Sequence, residues 1–155
     1  MAKKDERFSN IINIKNRRAS FEYEFIEKFV AGIQLLGSEI KSIREGKVNI
    51  TDAFCFVSNE EVFVKNLHIS QYSNLSFNAP DPMRQRKLLL NKKEIRKIVA
   101  KTEEKGLTII PTRLFINDRG LAKLEFAIAK GKKLHDKRDS IKDKDLKREM
   151  DRIKY

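Results

Sequence analysis

Four consecutive side chains near the end of the chain, His135, Asp136, Lys137 and Arg138, combine an imidazole, a carboxylate and two cations. Such a set could in principle run acid–base cleavage of RNA, the imidazole moving the proton. The setting argues for contact instead, because catalysis needs groups held by a rigid scaffold. These four lie in a run of charged residues with no second histidine nearby. His68, in KNLHISQY, reads as a structural imidazole at a strand end. Cys55 stands inside the apolar run AFCFV, where a buried, unreactive thiol is expected and no internal disulfide is possible. No His or Cys pair has metal-ligand spacing, no phosphate loop is present, and no serine sits in a nucleophile elbow. The expectation is a binding protein without enzymatic activity, metal or cofactor.

The charge says what it binds. The chain has 155 residues, enough for one domain with a single core. It carries 34 Lys+Arg against 22 Asp+Glu, a net charge of +12. A field of that sign suits a polyanion, since each neutralised phosphate releases condensed counterions; RNA, DNA and an anionic membrane all remain open. Residues 130–155 hold 11 basic and 6 acidic side chains, a net of +5, which leaves +7 on the body. Within the body two basic loops stand out, Lys15, Asn16, Arg17 and Arg18 in NIKNRRAS, and Arg84, Arg86, Lys87 and Asn91 in MRQRKLLLN. Phosphate cations beside aromatic platforms, here Tyr23 or Tyr72, fit an unpaired nucleic-acid strand.

The elements that must position these residues are mostly strands. Phe21, Tyr23 and Phe25 alternate with Glu22 and Glu24, and Ile33 and Leu35 resume after Gly32, so a long strand bent or bulged near that glycine is expected. GSEIKSIREGKV reads as a short helix with Ser38 as N-cap and Gly46 as terminator. AFCFV and EVFVKNLHI form a hairpin about SNE, and APDPMRQRK an exposed loop. NKKEIRKIVAKTEEKG predicts a helix capped by Asn91, with Glu94 three residues on and Gly106 at its close. Two last strands turn about NDRG. The order β, α, β, β, α, β, β favours a mainly β fold, a small antiparallel barrel of oligonucleotide-binding type, over an open α+β sandwich. The expected domains are a barrel over 1–129 and a basic tail over 130–155.

That tail offers only Leu134, Ile141, Leu146, Met150, Ile153 and Tyr155 for burial. Asp139 or Ser140 can cap a helix, but like-charge pairs such as Lys144 with Arg148 oppose it. A helix of about 14 residues supported by pairs worth ~0.2–0.5 kcal/mol is marginal alone. The tail is expected to be disordered free and helical against RNA.

Four blocks in order, NRRASFEY, AGIQLLGSEIKSIREGKVNITDAF, DPMRQRKLLLN and AIAKGKKLHDKR, closely resemble the small protein B family, the SsrA-binding (tmRNA-binding) proteins of bacteria. The match runs over nearly the whole chain. The resemblance implies an oligonucleotide-binding type barrel that holds the tRNA-like domain of transfer-messenger RNA. It implies support for alanylation by alanyl-tRNA synthetase and for delivery with elongation factor Tu, both acting through the RNA, to ribosomes stalled on truncated messages. The nascent chain is then tagged for degradation.

Carried onto this chain, the family's RNA-binding face implies Tyr23, Gly32, Leu89, Asn91, Lys123 and Gly131, with Asn16 and Arg17; Arg86 and Lys87 join them from the basic loop. The tail is implied to enter the empty mRNA channel. His135, Asp136, Lys137 and Arg138 would lie near the decoding centre, with Lys132 and Lys133 before them. Lys142, Lys144, Lys147, Arg148 and Arg152 would meet phosphates of small-subunit ribosomal RNA, and Ile153 matches a position that matters there. Val30 departs from the pattern, standing where many relatives have glutamate.

The rival readings are a general single-strand RNA-binding barrel, a ribonuclease using His135, and a membrane-associating cationic protein. No apolar run approaches the about 20 residues a membrane span needs, and MAKKDERFSN lacks the apolar stretch of a secretory signal. A cytoplasmic monomer is expected.

Overall fold

The computed structural model describes residues 12–72, 79–104, 106–132, 141–142 and 144–150. The first short strand, β1 (Asn13–Lys15), leads into Asn16, whose Oδ1 accepts from the Ala19 N–H at 3.1 Å and so caps α1 (Arg17–Glu22). This helix takes Phe21 and Glu22, which the alternating pattern had assigned to the following strand. Phe21 and Phe25 also lie four apart, so the pattern alone does not decide. The Asn16 cap and the Arg18–Glu22 pair at 2.9 Å, one turn apart, decide for the helix.

The long strand β2 (Tyr23–Ile33) buries Phe29, Ala31 and Ile33 and turns Lys28 and Val30 outward. Its register shifts between Phe25 and Glu27, which leaves Ile26 as the extra, half-exposed residue. The bulge therefore falls well before Gly32, which pairs regularly with both neighbouring strands.

Ser38 does not cap the next helix, α2 (Gly37–Arg44). The helix begins after Leu36, whose N–H donates to the Glu39 carboxylate at 2.9 Å, so the side chain reaching back replaces a hydroxyl reaching forward. Gly46, at φ +74°, ends it as expected.

A two-strand pairing of β3 (Val48–Asn49) with β6 (His68–Ile69) flanks a hairpin of β4 (Phe54–Ser58) and β5 (Glu61–Lys65). Asn59 and Glu60 turn that hairpin, both at positive φ, the two-residue turn whose twist suits paired strands. Then come β7 (Arg86–Leu89), α3 (Lys92–Thr102), β8 (Leu107–Ile116) and β9 (Ala122–Gly131). β9 thus runs past the boundary expected at 129.

The large sheet runs β1-β8-β4-β5-β7-β2-β9, and β9 pairs back onto β8. The sheet closes into an antiparallel barrel with β1 added on β8, so the mainly β, barrel-type architecture read from the sequence holds, with α1, β1, β3, β6 and β7 as additional elements; β7 takes Arg86 and Lys87 out of the stretch expected to be an exposed loop. Closure removes the free edges that an open sheet leaves. Inside lie Val62, Val64, Leu88, Leu114, Leu124, Phe126 and Ile128, each essentially inaccessible, with the Phe29 and Phe126 rings stacked at 5.7 Å. Each such side chain contributes roughly 1.5–3 kcal/mol by burial. Because strand residues alternate, the same registers that fill the barrel fix which side chains face out.

Residues 141–142 and 144–150 are helical, and every one of them is exposed. Lys144 Nζ stands 5.7 Å from the centre of the Phe21 ring on α1. Among the described residues no helix is long and apolar enough to cross a membrane.

Candidate nucleic-acid interface

One cross-strand row carries most of the site. Gly32 on β2 is the register partner of Leu89 on β7 and of Lys123 on β9; Lys123 in turn faces Phe115 on β8, and Phe115 faces Asn13 on β1. The alternate residues Leu88, Ile33, Leu124 and Leu114 fill the core, so all five of the row point outward. Leu89 is 53 % exposed, far more than an apolar side chain needs for packing. Gly32 makes the approach possible, since a Cβ there would lie 3.3 Å from Leu89 Cβ and 3.7 Å from Lys123 Nζ. Farther along the same two strands Tyr23 pairs with Gly131.

Two cavities flank the row. A broad groove of about 990 Å³ lies between the end of β7 and α3, lined by Lys87, Leu89, Asn91, Ile95 and Arg96 among others. A smaller one of about 340 Å³ is lined by Gly32, Leu89 and Lys123 and, from α2 and the β8–β9 turn, by Leu36, Arg44 and Leu121. Leu36 and Leu121 are themselves 51 % and 53 % exposed, so three leucines and two cations share its rim.

Asn91 caps α3 as expected, its Oδ1 accepting from the Glu94 N–H at 2.8 Å while the residue stays exposed. The cap uses the acceptor and leaves the amide donors outward, so capping and RNA contact do not compete for one atom. Lys87 pairs with Glu61 at 2.9 Å, both partly exposed, an arrangement worth at most about 1 kcal/mol and open to exchange with a phosphate.

Two residues expected on the RNA face do other work. Arg86 is 1 % exposed; it donates from Nε to Glu39 at 2.6 Å and from Nη1 to the Leu67 carbonyl at 2.7 Å. Asn16 is buried, donating from Nδ2 to the Pro111 carbonyl at 3.0 Å while its Oδ1 accepts from the Ala19 N–H of its helix. Arg86 shares an inward parity with Leu88, and that strand period was the signal against a surface role. Arg84 joins Arg86 on the buried Glu39, and Arg84 also reaches the Gln34 carbonyl at 3.4 Å. Burial raises the Glu39 pKa, but hydrogen bonds from Arg84, the Leu36 amide and Arg86 outweigh it and hold the carboxyl below its ordinary value. Burial likewise lowers Arg86, with Glu39 opposing. This cluster binds the start of α2 to the approach into β7, and so fixes Leu36 and Arg44 relative to Leu89.

Arg17 is exposed at the first position of α1, and Val30 is exposed opposite Glu125, whose carboxylate accepts from the Thr112 hydroxyl at 2.6 Å. Lys132 adjoins the end of β9, donating its N–H to the Glu22 carbonyl at 2.9 Å. Of the tail positions, Lys142, Lys144, Lys147 and Arg148 lie in the exposed helix. Lys133, His135, Asp136, Lys137, Arg138, Arg152 and Ile153 lie outside the described residues.

Known proteins with the same pattern decide the family. The model of the SmpB protein family matches residues 13–155. The chain belongs to the SmpB family. An SsrA-binding protein of Christiangramia forsetii is 58 % identical over 93 % of this chain and 92 % of its own. One of Cytophaga hutchinsonii is 58 % identical over 92 % and 94 %. A solved chain from "tmRNA-SmpB: a journey to the center of the bacterial ribosome" superposes with a TM-score of 0.69 at 41 % identity, covering 84 % of this chain and 94 % of that one. Within this SmpB-family fold, the reading of single residues missed Glu39 and Arg44. Glu39 is one carboxylate in a helix of mixed charge, and only the barrel's closure brings both arginines to it.

Proposed function

We propose that this chain binds the tRNA-like domain of tmRNA (SsrA RNA), promotes its alanylation and its delivery to stalled ribosomes, and so serves trans-translation as a binding factor without catalytic chemistry of its own. The observation that supports it is the single outward row Leu89–Gly32–Lys123, in a chain whose relatives are SsrA-binding proteins. Leu89 packs on a ribose or base, Gly32 lets the RNA come close, and Lys123 meets a phosphate; the Asn91 amide and Lys87 extend the contact into the groove beside α3. Arg86 and Asn16 act from behind this surface by positioning it.

The tail completes the proposal. Residues 141–142 and 144–150 form a helix with no core of its own and with Lys142, Lys144, Lys147 and Arg148 outward. On the ribosome, phosphates lining an empty mRNA channel take up those cations, and His135 to Arg138 come to the decoding centre. A folded protein and RNA pair then stands where a tRNA and codon would.

Competition binding tests this. A transcript folded as a tRNA-like domain should displace an unstructured RNA of equal length from the full chain at the same salt. Equal affinity for the two would leave only a general RNA-binding barrel.

A further inference from the structure

We infer that Arg44 is a phosphate anchor of the RNA site, paired with Lys123 across the small cavity; this rests on the RNA-binding reading above. Arg44 sits in the last turn of α2, and its guanidinium has no hydrogen-bond or ion-pair partner among the described residues. Its Nε is buried without a partner. Arg44 as a whole is half-buried, yet an N–H withdrawn from water without a partner is costly, and a native structure keeps such a group where something else completes it.

The surroundings say what completes it. The cavity of about 340 Å³ is lined by Arg44 and Lys123, and no carboxylate among the described residues lines it. Two glycines make room for the cationic heads. Arg44 Nη2 lies 3.9 Å from where a Gly120 Cβ would stand, and Lys123 Nζ lies 3.7 Å from the corresponding point at Gly32. Three exposed leucines, Leu36, Leu89 and Leu121, form the apolar rim. Two cations beside such a rim fit a sugar–phosphate unit: phosphate on the guanidinium fork and the ammonium, ribose on the leucines. Two arginines close to this cavity are already engaged, since Arg84 and Arg86 are held by Glu39. Arg44 is the one guanidinium among the described residues that lines this cavity, and Glu39, on the same helix, ties that helix to Arg84 and Arg86.

The test uses the full chain and a transcript folded as a tRNA-like domain, with affinity measured over a range of salt. Arg44→Ala should weaken binding about tenfold at 0.1 M salt and lower the slope of log K against log salt by roughly 0.7–0.9, one phosphate's share. Its thermal midpoint should not fall. Arg44→Lys should restore the slope but only part of the affinity, since an ammonium lacks the fork. An unchanged slope, or a loss of affinity matched by a loss of thermal stability, overturns the anchor. The parent reading is judged separately, on the wild type: if that binds folded and unstructured RNA alike while Arg44→Ala still lowers the slope, the anchor stands and the tRNA-like preference falls.

Discussion

Gly32 and Leu89 face each other across β2 and β7 so closely that a Cβ on the glycine would stand 3.3 Å from that of the leucine. Gly32 lies in ordinary strand conformation, so a larger residue is resisted by its neighbours and not by its own backbone. Gly32→Val should push Leu89 and Lys123 out of line and cut affinity for a tRNA-like RNA about tenfold, or ~1.4 kcal/mol. The core behind the row is untouched, so the melting midpoint should move by only a few degrees. Binding isotherms beside thermal melts check both halves; retained affinity would show that the RNA does not depend on this close approach.

Asn91 carries two separable duties, the acceptor toward Glu94 and the amide toward solvent. Asn91→Asp keeps a good cap while replacing the amide donor with a negative charge. It should fold as stably as wild type and bind RNA poorly. Asn91→Ala should lose about 1 kcal/mol of stability as well as RNA affinity. Equal binding by the Asp variant in a filter assay would confine Asn91 to the cap.

Glu39 gives the fold an acid limb. Its folded pKa lies below the unfolded glutamate value of about 4.3, so its contribution is complete above that value and is lost as pH falls through the lower, folded one. Denaturant midpoints of the wild type should therefore decline below roughly pH 4.3. Glu39→Gln leaves Arg86 buried beside a neutral amide and should cost about 3 kcal/mol at pH 7. The same variant should show a shallower acid decline. A wild-type limb retained in full by the variant would assign the acid sensitivity to other carboxylates.

Why some of this was legible in the sequence and some was not follows from distance along the chain. The Asn91 cap and the NDRG turn depend on residues a few positions apart, and both stand where their spacing puts them. The meeting of positions 32, 89 and 123 depends on strand register across the barrel. Family resemblance marked those residues, while their row could be seen only once the sheet had closed. The basic run MRQRK misled for a different reason. Composition there reads as surface, yet strand parity turns Arg86 inward beside Leu88, and Glu39, far earlier in the chain, compensates the charge.

Cys55 is buried, and burial pushes its thiol far above the ordinary range. A disulfide reagent at pH 8 should leave the native protein unlabelled and react at once when denaturant is added. Labelling that tracks the unfolding curve would place Cys55 in the cooperative core; rapid native labelling would mean that β4 opens on its own.

The last prediction separates the barrel from the tail. β9 continues to Gly131, and the Lys132 N–H still bonds to Glu22, so a chain ending after Lys132 keeps every barrel contact described. It also keeps +9 of the +12 net charge. The described tail residues bury nothing, and Lys144 over Phe21 at 5.7 Å is a tie of only about 0.5–1 kcal/mol. The truncated protein should therefore melt within a few degrees of the full chain and bind a tRNA-like RNA with nearly the same affinity. In a reconstituted translation reaction stalled on a truncated message it should fail to support tagging of the nascent chain. Loss of RNA binding on truncation would put the tail in the RNA site itself, and unimpaired tagging would deny it any part on the ribosome; either result breaks the division of labour between a barrel that grips one RNA and a cationic helix that needs another.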